Sequence, residues 1–245
     1  LAKVGNDVVI DEMAGQQQLA LGELSVIGDE PGLLPLIKQQ ITAGRLVRRQ
    51  RDVHIGTTIH WLALQPSEKL IAERVVGALS DSGVTGLLVI NQCNFAVGAT
   101  QELQVNLATT GDMVYVPDNL QEGIALQDFL QPKRIILGLD NDEALVKTRS
   151  LFRPFTLNLD ALQLMSSREA EFTKFAITGM LAIRLGYINE LANLADLLKV
   201  DISVVQEGMG SDPRVGPHYL SPGCGFGGQN FDAYVSTFSS ILQQQ

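Results

Sequence analysis

Short apolar runs and stretches of helical periodicity alternate along the first two thirds of this chain. Val8–Ile10, His60–Leu64, Leu87–Asn91, Met113–Val116 and Arg134–Gly138 read as strands, rich in aliphatic and aromatic residues and bounded by turn residues. Between them Glu30–Thr42, Pro66–Leu79, Thr100–Ala108 and Asp142–Phe152 read as helices, with Ser67 a fair N-cap for the second. Alternation of this kind predicts an α/β fold with a parallel, Rossmann-like sheet. The pattern then changes. A capping box at Ser166–Glu169 opens a long helix running from Ala170 to about Leu198 without a proline. Its apolar residues cover nearly every face, which predicts a buried helix. A loop rich in glycine and proline follows, from Ser211 to Phe231. The expected organisation is residues 1–162 as a partial Rossmann-like domain, and 163–245 as an all-helical domain.

Two features of the second half carry candidate chemistry. Lys174 lies inside the apolar helix, with Thr178 one turn on. A buried ammonium is costly unless paired, so the lysine either snorkels to an edge or points into a polar cleft. In the loop, Gly223, Gly225, Gly227 and Gly228 leave little side chain between a ligand and the backbone, which suits a phosphate or sugar on main-chain N–H groups. Taken by itself, such a loop is equally a connector. Arg214 precedes it with a guanidinium able to pair phosphate or hydroxyls bidentately.

The first ten residues read as a helix tail, a turn at Gly5 and a strand, the second half of a βαβ unit. Its first strand and Gly-x-Gly-x-x-Gly turn are expected upstream, so either the chain lacks its natural start or the phosphate loop is lost. Asp11 or Glu12 then falls where a Rossmann unit places the acid for an adenosine ribose.

Composition narrows the classes. The chain has 245 residues, 45% hydrophobic and 18% charged, enough for a sizeable core. A net charge of −9 argues against a nucleic-acid surface. No apolar run reaches the ~18 residues of a membrane span, and no signal peptide precedes a cleavage site. Cys93 and Cys224 make no disulfide framework, which points to a cytoplasmic protein. His54, His60 and His218 are dispersed, so no metal site is expected.

Four motifs occur in order: Glu169-Ala-Glu-Phe-Thr-Lys174, Tyr187-Ile-Asn189-Glu-Leu-Ala-Asn193, Gly208-Met-Gly-Ser-Asp212-Pro-Arg214-Val-Gly216-Pro, and Gly225-Phe-Gly-Gly228. Together they resemble the central domain of the UDP-glucose/GDP-mannose 6-dehydrogenase family. Glu30-Pro-Gly-Leu33, Ala43-Gly-Arg-Leu46 and Val116-Pro-Asp-Asn-Leu-Gln-Glu-Gly123 extend the likeness through the N-terminal half. The resemblance implies NAD as cofactor, a UDP- or GDP-linked sugar as ligand, and a homodimer through the long helix. Active members oxidise a C6 alcohol to a carboxylate in two hydride transfers, through a cysteine thiolate. By residue, the resemblance places Lys174, Asp118 and Glu122 among the catalytic positions. Gln65 and Asn94, with Asp11 and Glu12, fall on the cofactor side. Arg214, Tyr219, Leu220, Gly225, Gly227, Gly228 and Phe231 fall on the sugar nucleotide.

Departures from the family pattern gather on the chemistry. The cysteine is Asn230, and an amide is no nucleophile for an aldehyde at neutral pH. The lysine and water-orienting aspartate that follow are Ala233 and Tyr234. Thr178 stands for an asparagine. Leu64-Gln65-Pro66 replaces Gly-Thr-Pro, Cys93-Asn94-Phe95-Ala96 replaces Ser-Thr-Val-Pro, and Asp118 replaces a glutamate. Two readings follow. One is a catalytically impaired, dimeric nucleotide-sugar-binding or scaffold protein; the other is an active oxidoreductase on the C6 alcohol.

Overall fold

The computed structural model describes residues 1–11, 30–49, 56–156, 161–225 and 229–243. Glu12, His54, Gly227 and Gly228 lie outside the described residues. The chain divides into two units, Leu1–Glu171 and Phe172–Gln245. The division falls inside the long helix, past the 162/163 position chosen from the pattern.

The first unit is an α/β layer structure. Strand β1 (Val8–Asp11) pairs in parallel with β2 (Leu46–Arg49), joined through helix α1 (Leu33–Thr42). A second sheet has the order β3-β4-β5-β6-β7: Ile59–Leu62, Leu87–Asn91, Gly111–Tyr115, Ile135–Gly138 and Leu162–Met165. Helices α2 (Lys69–Asp81), α3 (Ala99–Leu107), α4 (Ala125–Leu130) and α5 (Asp142–Phe152) connect them. A 3-10 turn at Pro66–Glu68 precedes α2, where the sequence reading starts that helix directly.

Strand β4 is buried at all five positions, because helices cover both faces of the sheet. Leu87 and Val89 face a cluster with Val76 and Leu79 of α2 and Leu103 of α3. Leu88 and Ile90 face the other way, onto Leu137, Leu151 and Phe152, with Trp61 packed against that cluster. The period-2 alternation of a strand thus feeds two cores.

The α/β architecture agrees with the expected Rossmann-like sheet, with one local exception. Strands β3, β4 and β5 run parallel, but β6 meets β5 antiparallel through the single pair Tyr115↔Gly138, and β7 follows β6 in parallel. Residues 162–165, where the pattern suggests a domain boundary, are the sheet's last strand. Gly138 lets the start of the long helix lie close on the end of β6: a Cβ there would lie 2.7 Å from Ala170 Cβ and 2.9 Å from Ser167 Cα.

Helix α6 (Ser167–Leu198) opens on the capping box read from the sequence. The Glu169 carboxylate accepts from Ser166 N (2.8 Å) and Oγ (2.7 Å), and Glu169 N donates back to Ser166 Oγ. In the second unit α7 (Ile202–Ser211) follows, N-capped by Asp201, then α8 (Gln229–Gln243). Burial of α6 on every face is not borne out within the chain. Met180, Ile183, Tyr187 and Leu197 are 58%, 66%, 56% and 81% exposed.

Candidate active site and ligand loop

In the first unit the chemistry-bearing residues follow the carboxyl ends of adjacent parallel strands. Gln65 comes after β3, Asn94 after β4, and Asp118 after β5. This is the edge at which open α/β sheets bind ligands. Asp11 closes β1 in the same way, and its Oδ1 is buried with no hydrogen-bond partner among the described residues. A carboxylate at that strand end is the residue type that accepts a ribose hydroxyl in a Rossmann unit. Gln65 is exposed, and its backbone N–H donates to Glu68 Oε2. Asn94 is half-buried, Asp118 accepts from Leu120 N in a local turn, and Glu122 is exposed. Glu30 of the Glu-Pro-Gly motif accepts from Gly123 N and Leu126 N, fixing the start of α4 beside a cavity of about 300 Å³.

The loop that carries Asn94 is bounded by a buried polar network. Asn91 Oδ1 accepts from Cys93 N at 3.0 Å, and Asn91 Nδ2 donates to Thr100 Oγ1 at 2.9 Å. That hydroxyl donates in turn to Glu171 Oε1 at 2.6 Å. The Glu171 carboxylate, 2% exposed, also accepts from Thr100 N at 2.8 Å and Gly98 N at 2.5 Å. An acidic side chain of the first unit's last residues therefore fills the anion position at the N-terminus of α3. Inside the loop Cys93 is buried, and burial pushes its thiol up to about 12. It is not a nucleophile at neutral pH.

The second unit holds Lys174. Its ammonium lies 5.4 Å from the centroid of the Tyr234 ring, a cation–π arrangement. Tyr234 is 4% exposed and meets Phe175 edge-on, with centroids 4.8 Å apart. One turn further along both helices Phe238 rests on Gly179, where a Cβ would come within 3.3 Å of the ring. These two contacts seat α8, whose first turn carries Asn230 and Phe231, against α6. Thr178 is buried and bonds back to the Lys174 carbonyl.

The loop after α7 is held by side chains from α6. Arg184 donates to the carbonyls of Val215 (2.8 Å) and Gly216 (2.9 Å), and Asn189 Oδ1 accepts from Gly223 N (2.9 Å). Arg214, 87% exposed, forks onto Asp212 through Nε and Nη2. That pairing holds the Asp212 carboxyl below its usual range. Tyr219 is exposed in the left-handed backbone region (φ +57°), Leu220 is buried, and Gly225 has φ +98°. His218 is exposed.

Residues 168–245 match the UDP-glucose/GDP-mannose dehydrogenase family, central domain. The UDP-glucose 6-dehydrogenase of Pseudomonas aeruginosa is 31% identical over 275 residues, covering 100% of this chain and 58% of that protein. The chain belongs to the UDP-glucose/GDP-mannose dehydrogenase family. A UDP-glucose dehydrogenase from the hyperthermophilic archaeon Pyrobaculum islandicum superposes with a TM-score of 0.86 at 25% identity, over 99% of this chain and 60% of that one. The chain thus spans somewhat over half the length of the family members it matches.

Among the described residues, no three His, Cys, Asp or Glu side chains group as metal ligands, and no helix is long and apolar enough to cross a membrane. Relative to the family pattern, sequence reasoning missed Glu171 and Arg184. Both are charged residues set among apolar neighbours of α6, the one local signal that they reach inward to a partner.

Proposed function

We propose that this chain is a divergent, catalytically impaired member of the nucleotide-sugar dehydrogenase family that keeps the sugar-nucleotide cradle. The observation that carries the reading is the position of Lys174. Its ammonium is stacked on a buried Tyr234 ring, the residue that stands where the family pattern has an aspartate. A lysine so engaged is poorly placed to stabilise a developing oxyanion, which requires donors aimed at the reacting oxygen. Asn230, at the nucleophile position, supplies no thiolate for a covalent intermediate.

The cradle is the other half of the reading. Arg214, Tyr219, Gly225 and Phe231 belong to one helical unit and one loop system, suited to a UDP- or GDP-linked sugar. For NAD, Asp11 fits an adenosine ribose, while Gln65 and Asn94 replace the residues of the family pattern on the nicotinamide side. When bound, that cofactor would accept hydride from the sugar alcohol; the chain's part would be to hold the ribose and orient the sugar. The exposed apolar stripe of α6, with Met180, Ile183, Tyr187 and Leu197, supports a homodimer that covers it.

A thermal-shift panel tests this. Saturating a site at about 100 times its Kd adds roughly 2.7 kcal/mol to native-state stability. UDP-glucose or GDP-mannose is expected to raise Tm, with no NADH formed when NAD is added. Sustained NADH production from either sugar would overturn the reading in favour of an active oxidoreductase. Light scattering at micromolar concentration should give twice the chain mass; a monomer would refute the dimer.

A further inference from the structure

The arc between Gly216 and Gly223 is pinned at both ends to one helix. Arg184 and Asn189 stand five residues apart on α6, about 7.5 Å along its axis. Arg184 takes the carbonyls of Val215 and Gly216 with a two-pronged guanidinium, and Asn189 takes the N–H of Gly223. Between these pins Leu220 is 2% exposed, an apolar plug, while its neighbour Tyr219 is exposed at φ +57°. A bulky residue in the left-handed region is strained, and such a conformation persists only where its surroundings over-determine it. Two side chains from one rigid helix supply that determination.

The Arg184 cation has a second consequence. Both of its hydrogen bonds end on neutral carbonyls, and its Nε is buried without a partner. Among the described residues no carboxylate lies within ion-pair distance of it. Its full charge therefore acts beneath an arc that presents an aromatic ring. Arg214, by contrast, is already neutralised by Asp212.

We propose that Arg184 and Asn189 are positioning residues that preform the 217–222 arc for the diphosphate and base of a nucleotide sugar. The ligand class rests on the function proposed above; the preforming does not. Arg184 touches no ligand in this scheme. It fixes the backbone that does, and its uncompensated charge favours an anion on the arc.

The test uses the full chain with Arg184→Lys, Arg184→Met and Asn189→Ala. Amide hydrogen exchange is followed by mass spectrometry across 215–223, with α6 residues 186–194 as internal reference. UDP-glucose and GDP-mannose affinities are measured by calorimetry on each variant. Arg184→Met is expected to speed exchange in 215–221 at least tenfold and to weaken binding of the preferred sugar nucleotide at least tenfold, with α6 unchanged. Arg184→Lys keeps the charge but reaches one carbonyl, so it should recover part of the affinity while the arc stays loosened. Asn189→Ala should loosen the Gly223 limb alone. Unchanged exchange across the arc in Arg184→Met and Asn189→Ala would overturn the preforming. A loosened arc with unchanged affinity would overturn the link to ligand positioning. If the wild type binds neither sugar nucleotide, the ligand class fails and the proposed function with it, while the exchange result still decides the preforming.

Discussion

Replacing Glu171 by glutamine removes no volume and one charge, yet it should destabilise the first unit by about 2–3 kcal/mol. Oε1 of the native side chain accepts from Thr100 N and Oγ1, and Oε2 accepts from Gly98 N, all in a site 2% exposed. Hydrogen bonds to a charged group contribute roughly 1.5–3 kcal/mol each, and a buried donor left unmade costs about 1–3 kcal/mol. In the amide, the carbonyl oxygen can keep the Thr100 pair as neutral bonds. The –NH₂ group then faces Gly98 N–H, donor against donor, so that bond is lost. Removing a desolvated charge offsets part of the loss, which leaves the figure above rather than the sum. Trp61 is the chain's single tryptophan and packs against the core of the same unit, so its fluorescence in urea reports this transition. With a urea slope of about 2 kcal/mol per molar, the midpoint should fall by about 1–1.5 M. Glu169→Gln, two residues earlier on the helix surface, should move it much less. A Glu171→Gln midpoint within about 0.2 M of wild type would refute the claim that this carboxylate holds the α3 N-terminus.

Other outcomes follow from packing and ionisation. Tyr234→Ala should cost the second unit about 3 kcal/mol through the lost ring volume and its aromatic and cationic contacts. Tyr234→Phe keeps the ring stack and the cation–π contact and should cost less than the alanine variant; circular dichroism melting separates the two. Gly138→Ala should destabilise the sheet by at least about 2 kcal/mol, since Ser167 backbone and Ala170 leave no room for a methyl, again read from Trp61. Native protein at pH 8 should give one fast-reacting thiol with a disulfide reagent, the exposed Cys224, while Cys93 reacts only on unfolding. The unfolded Cys93 thiol ionises near 9.0, and burial raises its folded value to about 12. Its contribution to stability is therefore complete below pH 9 and is lost as pH rises through that interval; a Cys93→Ala chain should lack this alkaline loss.

Local signals were legible wherever one segment carries its own periodicity. Helix α5 at Asp142–Phe152, strand β4 at Leu87–Asn91 and the Ser166–Glu169 capping box coincide with the pattern read from the residues. Strand β2 was missed because Leu46-Val-Arg-Arg49 is half charged, and only its partner β1 makes it a strand. The reversal of β6 was missed too, since direction in a sheet depends on connections rather than on composition. Helix α8 was hidden behind the glycine-rich segment before it. At the candidate site, the family motifs alone assign Lys174 and Asn230 their proposed roles. The contacts that shape it could not be read from the residues: Glu171 reaches back 73 residues to Gly98, and Arg184 reaches forward 31 to Val215. No local window contains both partners of such a bond.

The boundary between the two units carries a consequence for how this gene can be recombined. Modular proteins usually exchange domains through exposed linkers, where a junction disturbs few contacts. Here the junction lies between Glu171 and Phe172, inside an uninterrupted helix. A crossover there falls on helical backbone: an insertion of one amino acid adds one residue, about 100° of turn and about 1.5 Å of rise, to α6 itself. Glu171 would no longer share a helix register with Lys174, three positions on. Chimaeras joined in phase at this point should keep the α6 backbone ladder, and each side keeps the side-chain contacts described for it: Glu171 with Gly98 and Thr100 before the junction, Lys174 with Tyr234 after it.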